Sequence, residues 1–112
     1  MNIIFDDQEL EKFANNDRLG QRKLGPARFK KYKQRLDQLK ASTTIEDVRH
    51  QPGRFHELNS DKKGQWACDL DHPYRLIFQP QEKPIPTNDD GQYLWIKITG
   101  VEILKIEDYH KK

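Results

Sequence analysis

The last residues of the chain carry side chains that could move a proton beside a negatively charged substrate. Asp108, Tyr109 and His110 follow one another directly, and two lysines come after them. A carboxylate, a phenol and an imidazole therefore stand together, and an imidazole with an ordinary pKa of about 6.5 gives or accepts a proton near neutral pH. The apolar stretch 94–106 comes just before and would hold the tail at a strand end. A frayed tail is the alternative.

Three earlier segments, 54–58, 65–70 and 74–79, alternate polar and apolar side chains in the way that strands with one buried face do. The bulky side chains fall on one face, which leaves Arg54, His56 and Arg75 on the other. Together with the tail, they suit RNA cleavage by 2′-hydroxyl attack on the neighbouring phosphate, which needs a proton acceptor, a proton donor and cations. A surface histidine at position 56 and a cross-strand ion pair at position 75 are the structural alternatives.

The elements that would position these residues form an α+β pattern. The sequence predicts an edge strand at 2–5, a helix at 8–15, a second helix from Pro26 to about Ala41, and a capped turn from Thr44 to Asp47. Strands follow, and the last is expected at 94–106 with a bulge at Gly100. We predict one domain over 1–112, in which the N-terminal strand and two helices pack on one face of an antiparallel sheet and the other face stays open.

Basic residues are concentrated between Asp17 and Asp37, a segment without a carboxylate. Such a run attracts a polyanion such as RNA, although it would also suit a solvated helix face. The basic residues of the run are Arg18, Arg22, Lys23, Arg28, Lys30, Lys31, Lys33 and Arg35.

Composition narrows the class of protein. Hydrophobic and charged residues each make up 34% of the 112 residues, and two Trp, four Tyr and five Phe favour a folded chain. The single cysteine, Cys68, allows no internal disulfide, and no signal peptide or membrane span is visible, so we expect a cytoplasmic protein. The histidines and Cys68 lack metal-ligand spacing, and we predict neither a metal nor a cofactor.

Several motifs together resemble the HigB branch of the RelE/ParE toxin superfamily. They are the segment 52–58 (PGRFHEL), the segment 61–66 (DKKGQW), the strand 74–78 (YRLIF) and the closing 107–110 (EDYH). The resemblance spans nearly the whole chain, and it is the combination of the motifs that is specific. These proteins are the toxins of bacterial type II toxin–antitoxin pairs.

The resemblance implies a RelE-like fold and a metal-independent endoribonuclease that cuts mRNA in the ribosomal A site. It also implies neutralisation by a HigA-type antitoxin, with operator DNA contacted only through that antitoxin. The positions that match the catalytic ones of the family are His56, Asp108, Tyr109 and His110, and Arg75 matches its phosphate-contacting arginine. The residues expected to bind RNA are Arg54, Lys62, Lys63, Arg22, Lys23, Lys30, Lys31 and Lys33.

One position departs from the family pattern. Asn59 stands where relatives often carry a basic residue, and Lys62 or Lys63 could replace it. The departure keeps open a non-catalytic binding module of the same fold. A ParE-like gyrase inhibitor is the other alternative, and the terminal Asp-Tyr-His argues against it.

Overall fold

The chain folds as a layer of helices on one face of a mixed β-sheet. The computed structural model describes residues 1–109, and the helices in that range span Gln8–Asn15 (α1), Asp17–Leu24 (α2), Pro26–Ala41 (α3) and Ile45–Val48 (α4). The strands span Asn2–Phe5 (β1), His56–Glu57 (β2), Trp66–Asp69 (β3), Tyr74–Pro80 (β4) and Gly100–Asp108 (β5). Short 3₁₀ turns lie at Ser60–Lys62 and Trp95–Lys97.

Capping groups set where the helices begin. The side chains of Asp7 and Asn16 accept hydrogen bonds from backbone N–H groups in the first turns of α1 and α2. Pro26 occupies the first turn of α3, where its missing N–H costs nothing. At α4 the Asp47 carboxylate accepts a 3.0 Å hydrogen bond from the N–H of Thr44, which is one half of the capping box that their spacing predicts.

The sheet has the order β1-β5-β4-β3-β2 within the described residues. The neighbours from β5 to β2 are antiparallel, as the sequence predicts, but β1 pairs in parallel with β5. The N-terminal strand therefore lies at one edge of the sheet and β2 lies at the other. The strand β5 runs between β1 and β4 and so lies in the interior of the sheet.

The core lies between α3 and the sheet. The predicted stripe of Phe29, Tyr32, Leu36 and Leu39 on α3 is buried. On the sheet side, Trp66 is fully buried and its ring stacks on Phe78 at a centroid distance of 6.4 Å. Burying such large side chains contributes about 1.5–3 kcal/mol each, which is the main term that holds the two layers together.

Two parts of the element pattern differ from the prediction. The segment expected to break the first helix forms α2 instead, because Asn16 caps a new helix and Gly20 allows close contact with the Phe29 ring. The final strand begins at Gly100 rather than at residue 94. The register shift lies opposite Ile77 and Phe78, so the bulge falls near the middle of β5 and not at Gly100. No helix in the range 1–109 is long and apolar enough to cross a membrane.

Candidate active site on the front face

The sheet face turned away from the helices, here called the front face, carries two adjacent rows of side chains. Residues opposite each other on neighbouring strands point to the same face, so the pairing defines which side chains share a row. The first row is Asp69, Arg75 and Glu107, and the second is His56, Ala67, Ile77 and Lys105.

Glu107 lies at the centre of a group of cations. The Nε and Nη2 atoms of Arg75 donate to one carboxylate oxygen at 2.9 and 2.6 Å, and the Nζ atoms of Lys62 and Lys105 each lie 3.3 Å from the other. Burial alone would raise the pKa of Glu107, but the hydrogen bonds and charges of Arg75, Lys105 and Lys62 hold that pKa below its ordinary value. Glu107 is therefore ionised at neutral pH. We call these residues the Glu107 cluster.

The turn Ser60–Lys62 folds back over the front face. Lys62 follows β2 yet reaches Glu107 on β5, about 14 Å away across three strand spacings. That span exceeds the length of a lysine side chain, so the turn itself must lie above the sheet. Ala67 and Ile77, on the same face, are fully buried. The expectation that this face is entirely open is corrected: its middle is covered and its charged ends remain accessible.

His56 lies on the edge strand β2 and is half-buried. Its Nδ1 atom is 2.6 Å from the carbonyl oxygen of Arg54, whose guanidinium lies 3.5 Å from Asp69. Strand spacing and rise place the Cα atoms of His56 and Arg75 on the order of 12 Å apart. An RNA strand, rather than one phosphate, would be needed to touch both.

The side chains of Asp108 and Tyr109 point to opposite faces of the sheet. Asp108 pairs with Tyr74, whose ring stacks under the Arg28 guanidinium of α3 at 3.5 Å, so Asp108 points toward the helix side. The exposed Tyr109 instead reaches the Glu107 cluster, because its ring centroid lies 5.4 Å from the Arg75 guanidinium and 6.1 Å from His72. His110 lies outside the described residues.

The residues predicted to bind RNA occupy different surfaces. Arg54 and Lys62 are on the front face, whereas the Nζ of Lys63 lies 5.5 Å from the Tyr93 ring centroid. The Nζ of Lys33 donates to the carbonyl of Ala14 at 2.7 Å, which is a structural contact. The exposed members of the predicted set on α2 and α3 are Arg22, Lys23, Lys30 and Lys31.

Sequence reasoning did not include Lys105, Glu107 or Asp69 among the site residues. Alternation along the last strand puts Lys105 and Glu107 on the same face as Arg75, so the sequence could have indicated both residues. The described residues contain no group of His, Cys, Asp and Glu that could hold a metal ion. Cys68 is fully buried, and burial raises the pKa of its thiol, so its sulfur is not an accessible nucleophile.

Residues 3–89 match the family model of HigB-like toxins, described as RelE-like toxins of the type II toxin–antitoxin system HigB. The match includes His56 and Arg75 and ends before β5. No curated protein matches the chain at a significant level.

Solved structures resemble the fold at low identity. The YoeB dimer structure from Staphylococcus aureus is 18% identical, with a TM-score of 0.50 over 94% of this chain and 92% of that one. A YoeB/ParE toxin from Agrobacterium tumefaciens is 11% identical, with a TM-score of 0.46 over 96% and 98%. The first of these supports the same α+β arrangement.

Proposed function

The chain belongs to the HigB-like family of RelE-like toxins of type II toxin–antitoxin systems, and on that premise we propose that it is an endoribonuclease that cuts mRNA in the ribosomal A site and so stops translation. The observation that carries the proposal is the Glu107 cluster, which gathers Arg75, Lys62 and Lys105 on the same face as His56. Such a surface can bind the RNA backbone while a histidine handles a proton.

In the proposed reaction, the 2′-oxygen of one nucleotide forms a bond to the adjacent phosphorus and the bond from phosphorus to the 5′-oxygen breaks. A base takes the 2′ proton, and an acid gives a proton to the leaving oxygen. The products carry a 2′,3′-cyclic phosphate and a 5′-hydroxyl. The attacking oxygen belongs to the substrate, so protein side chains can supply every proton that the reaction moves.

The cations would stabilise the charge that develops on phosphorus. Arg75 binds Glu107 in the free protein, and we propose that a substrate phosphate replaces that carboxylate. Lys62 takes the place of the basic residue missing at Asn59, since its ammonium already reaches the cluster. Tyr109 is exposed and would stack on an unpaired base.

The tail roles rest on the family resemblance. We assign proton donation to His110. We also propose that Asp108 orients the tail from the helix side rather than contacting the phosphate, because it pairs with Tyr74. The exposed cations of α2 and α3 lie on the other layer, where we propose that they grip ribosomal RNA through its phosphates.

A type II toxin has an antitoxin partner, and we propose one of the HigA type. In this proposal operator DNA is reached only through the antitoxin, and the toxin works in the cytoplasm, where ribosomes are.

The test is a purified translation reaction in which mRNA ends are mapped, with naked mRNA and a gyrase supercoiling assay in parallel. The variants are Arg75→Ala, His56→Gln and His110→Ala, and the control is Lys12→Ala, which removes an exposed cation from α1. Removing a group that stabilises transition-state charge or moves a proton costs about 10²–10⁴ in rate.

Ribosome-dependent cuts that each site variant slows by at least a hundredfold, and that the control keeps, would support the proposal. Uncut mRNA with inhibited supercoiling would identify a gyrase inhibitor instead. If neither activity is found while the antitoxin still binds, the chain is a non-catalytic binding module. Cutting that survives His110→Ala would refute the role given to that residue.

A further inference from the structure

We propose that the buried Arg35 is a positioning residue for His56, and that it fixes the ring so that Nε2 is the proton acceptor. The inference rests on the proposed function for the identity of the substrate. Its structural part concerns the free protein alone.

Arg35 is an unusual residue for its place. It is 5% exposed on the apolar face of α3, where its neighbours at helical spacing include Tyr32 and Leu39. Its Nε donates to the carbonyl oxygen of Asp69 at 2.7 Å, and its Nη1 donates to the side-chain oxygen of Gln38 at 2.9 Å. Burying a guanidinium against neutral acceptors is costly, and an apolar residue would fill the space more cheaply. A specific task accounts for its presence.

The contacts of Arg35 lead to the segment before His56. Gln38 donates onward to the carbonyl oxygen of Pro52 at 2.8 Å, and Gly53 accepts a 2.8 Å hydrogen bond from the N–H of Asp69. Gly53 lies against the guanidinium so closely that a Cβ there would be 2.6 Å from Cζ, and its φ of +112° also requires glycine. The guanidinium therefore holds both the end of β3 and the chain at 52–53.

The held segment sets the conformation of Arg54. Arg54 has a φ of 54°, in the left-handed region that non-glycine residues seldom adopt. This conformation turns its carbonyl oxygen toward His56 Nδ1, at 2.6 Å. A carbonyl oxygen can only accept, so in the neutral ring Nδ1 carries the hydrogen and Nε2 has the free lone pair.

In the proposed reaction Nε2 takes the proton of the 2′-hydroxyl as the 2′-oxygen bonds to phosphorus. The bond from phosphorus to the 5′-oxygen breaks, and the acid assigned above protonates that oxygen. A neutral ring with its hydrogen on Nε2 has no lone pair at that atom to take the proton, so the rate should follow the population of the Nδ1–H tautomer. Arg35 supplies geometry and touches no substrate.

The test uses the full chain and two-dimensional ¹⁵N–¹H correlation of the histidine rings at a pH where they are neutral. His56 is assigned by comparison with His56→Gln. We expect the Nδ1–H pattern in the wild type and a shift toward the Nε2–H form, which an unconstrained neutral histidine side chain favours, in Arg35→Lys and in Gln38→Ala. Gln38 is half-buried, so its truncation tests the inference without opening the core. The matched control is Gln34→Ala, an exposed residue one turn earlier on α3.

Cleavage in the translation reaction is the second readout, and it should fall by the same factor as the tautomer population. An Nε2–H ring in the wild type, or an unchanged tautomer in Gln38→Ala, would overturn the inference even if mRNA is cut. An Nδ1–H ring that shifts as expected in a protein that cuts no mRNA would overturn the proposed function and leave the positioning by Arg35 standing.

Discussion

We predict that removing the charge of Glu107 lowers the stability of the fold and raises its affinity for RNA. The substitution is Glu107→Gln, which keeps the shape of the side chain and removes its charge. In the folded protein this carboxylate is 17% exposed and binds Arg75, Lys62 and Lys105. The variant should fold less stably and bind RNA more tightly.

The loss of stability follows from the hydrogen bonds that lose their charge. Hydrogen bonds to a charged group contribute about 1.5–3 kcal/mol, and glutamine keeps one acceptor oxygen, so we expect a loss of about 2 kcal/mol. For a chain of this size that lowers Tm by about 8 °C. Thermal unfolding followed by circular dichroism measures it.

The pH dependence has a defined sign. Folding lowers the pKa of Glu107, so its contribution is complete above the unfolded value of about 4.3 and is lost as the pH falls through the lower folded value. The difference in stability between wild type and variant should therefore be constant near neutral pH and should narrow in acid.

The gain in RNA affinity follows from removing a competitor for Arg75. A unit charge at about 4 Å in water is worth about 1 kcal/mol, so Kd should fall about fivefold at low salt. If one more phosphate is contacted, the slope of log K against log[salt] becomes steeper by about 0.7 for a single strand. Fluorescence titration with a 2′-O-methyl RNA, which cannot be cut, measures both quantities.

The matched control is Glu102→Gln, on the same strand and with a similar exposure of 18%, where the carboxylate pairs with Lys83 instead. It should leave RNA affinity unchanged. If Glu107→Gln binds RNA more weakly than the wild type, Glu107 orients Arg75 for the phosphate and does not compete with it, and the exchange of carboxylate for phosphate is refuted.

Two further predictions concern the helices. Gly20→Ala should destabilise the fold by about 1 kcal/mol in urea unfolding. A Cβ at position 20 would lie 2.2 Å from the Phe29 ring, so the overpacking cost of about 1–3 kcal/mol exceeds the helix-propensity gain of about 1 kcal/mol. Equal or greater stability would show that the ring moves aside. Lys30→Glu or Lys31→Glu should weaken ribosome binding and reduce the slope of log K against log[salt] by about one phosphate contact. Equal weakening by Lys12→Glu on α1 would mean that the effect comes from total charge.

The helix α3 could be predicted because its signals are local. Pro26 predicts its start, and apolar residues three and four positions apart from Phe29 to Leu39 predict its buried stripe. The structure confirms both. The helix α2 was missed because Gly20 is a helix breaker by propensity. What keeps Gly20 helical is its contact with Phe29 on the next helix, which no local pattern contains.

The final strand shows why an apolar run does not fix its own structure. Trp95 and Ile98 are buried as the run predicts, but they belong to a 3₁₀ turn and its exit, and Ile98 accepts a hydrogen bond from the N–H of Ile45. Periodicity cannot separate a short apolar strand from such a segment. The parallel pairing of β1 was also invisible, because it depends on where β5, which begins only at Gly100, lies in the sheet.

The candidate site also has one part that the sequence predicts and another that only the fold brings together. Alternation correctly places His56 and Arg75 on one face, since cross-strand pairing preserves the pattern. The contact of Lys62 with Glu107 joins residues that are 45 positions apart and crosses the sheet, so only the fold reveals it. Asp108 was expected to converge with His56 and Arg75 at one end of the sheet. It points to the helix side instead, because alternation along β5 puts it on the face opposite to that of Glu107.

The front face is organised to stay in place without RNA, and this follows from its charges. Cations held close together in a free protein repel one another and would spread apart unless an anion neutralises part of their charge. Glu107 supplies that anion, yet Lys62, Arg75 and Lys105 exceed it, so the surface still attracts a polyanion. Arg35 does the corresponding task for His56 from beneath the sheet, with neutral acceptors and without a competing charge. In the proposed reaction the RNA phosphate has to replace the carboxylate at Arg75, whereas the ring of His56 is already oriented by the carbonyl of Arg54 in the free protein.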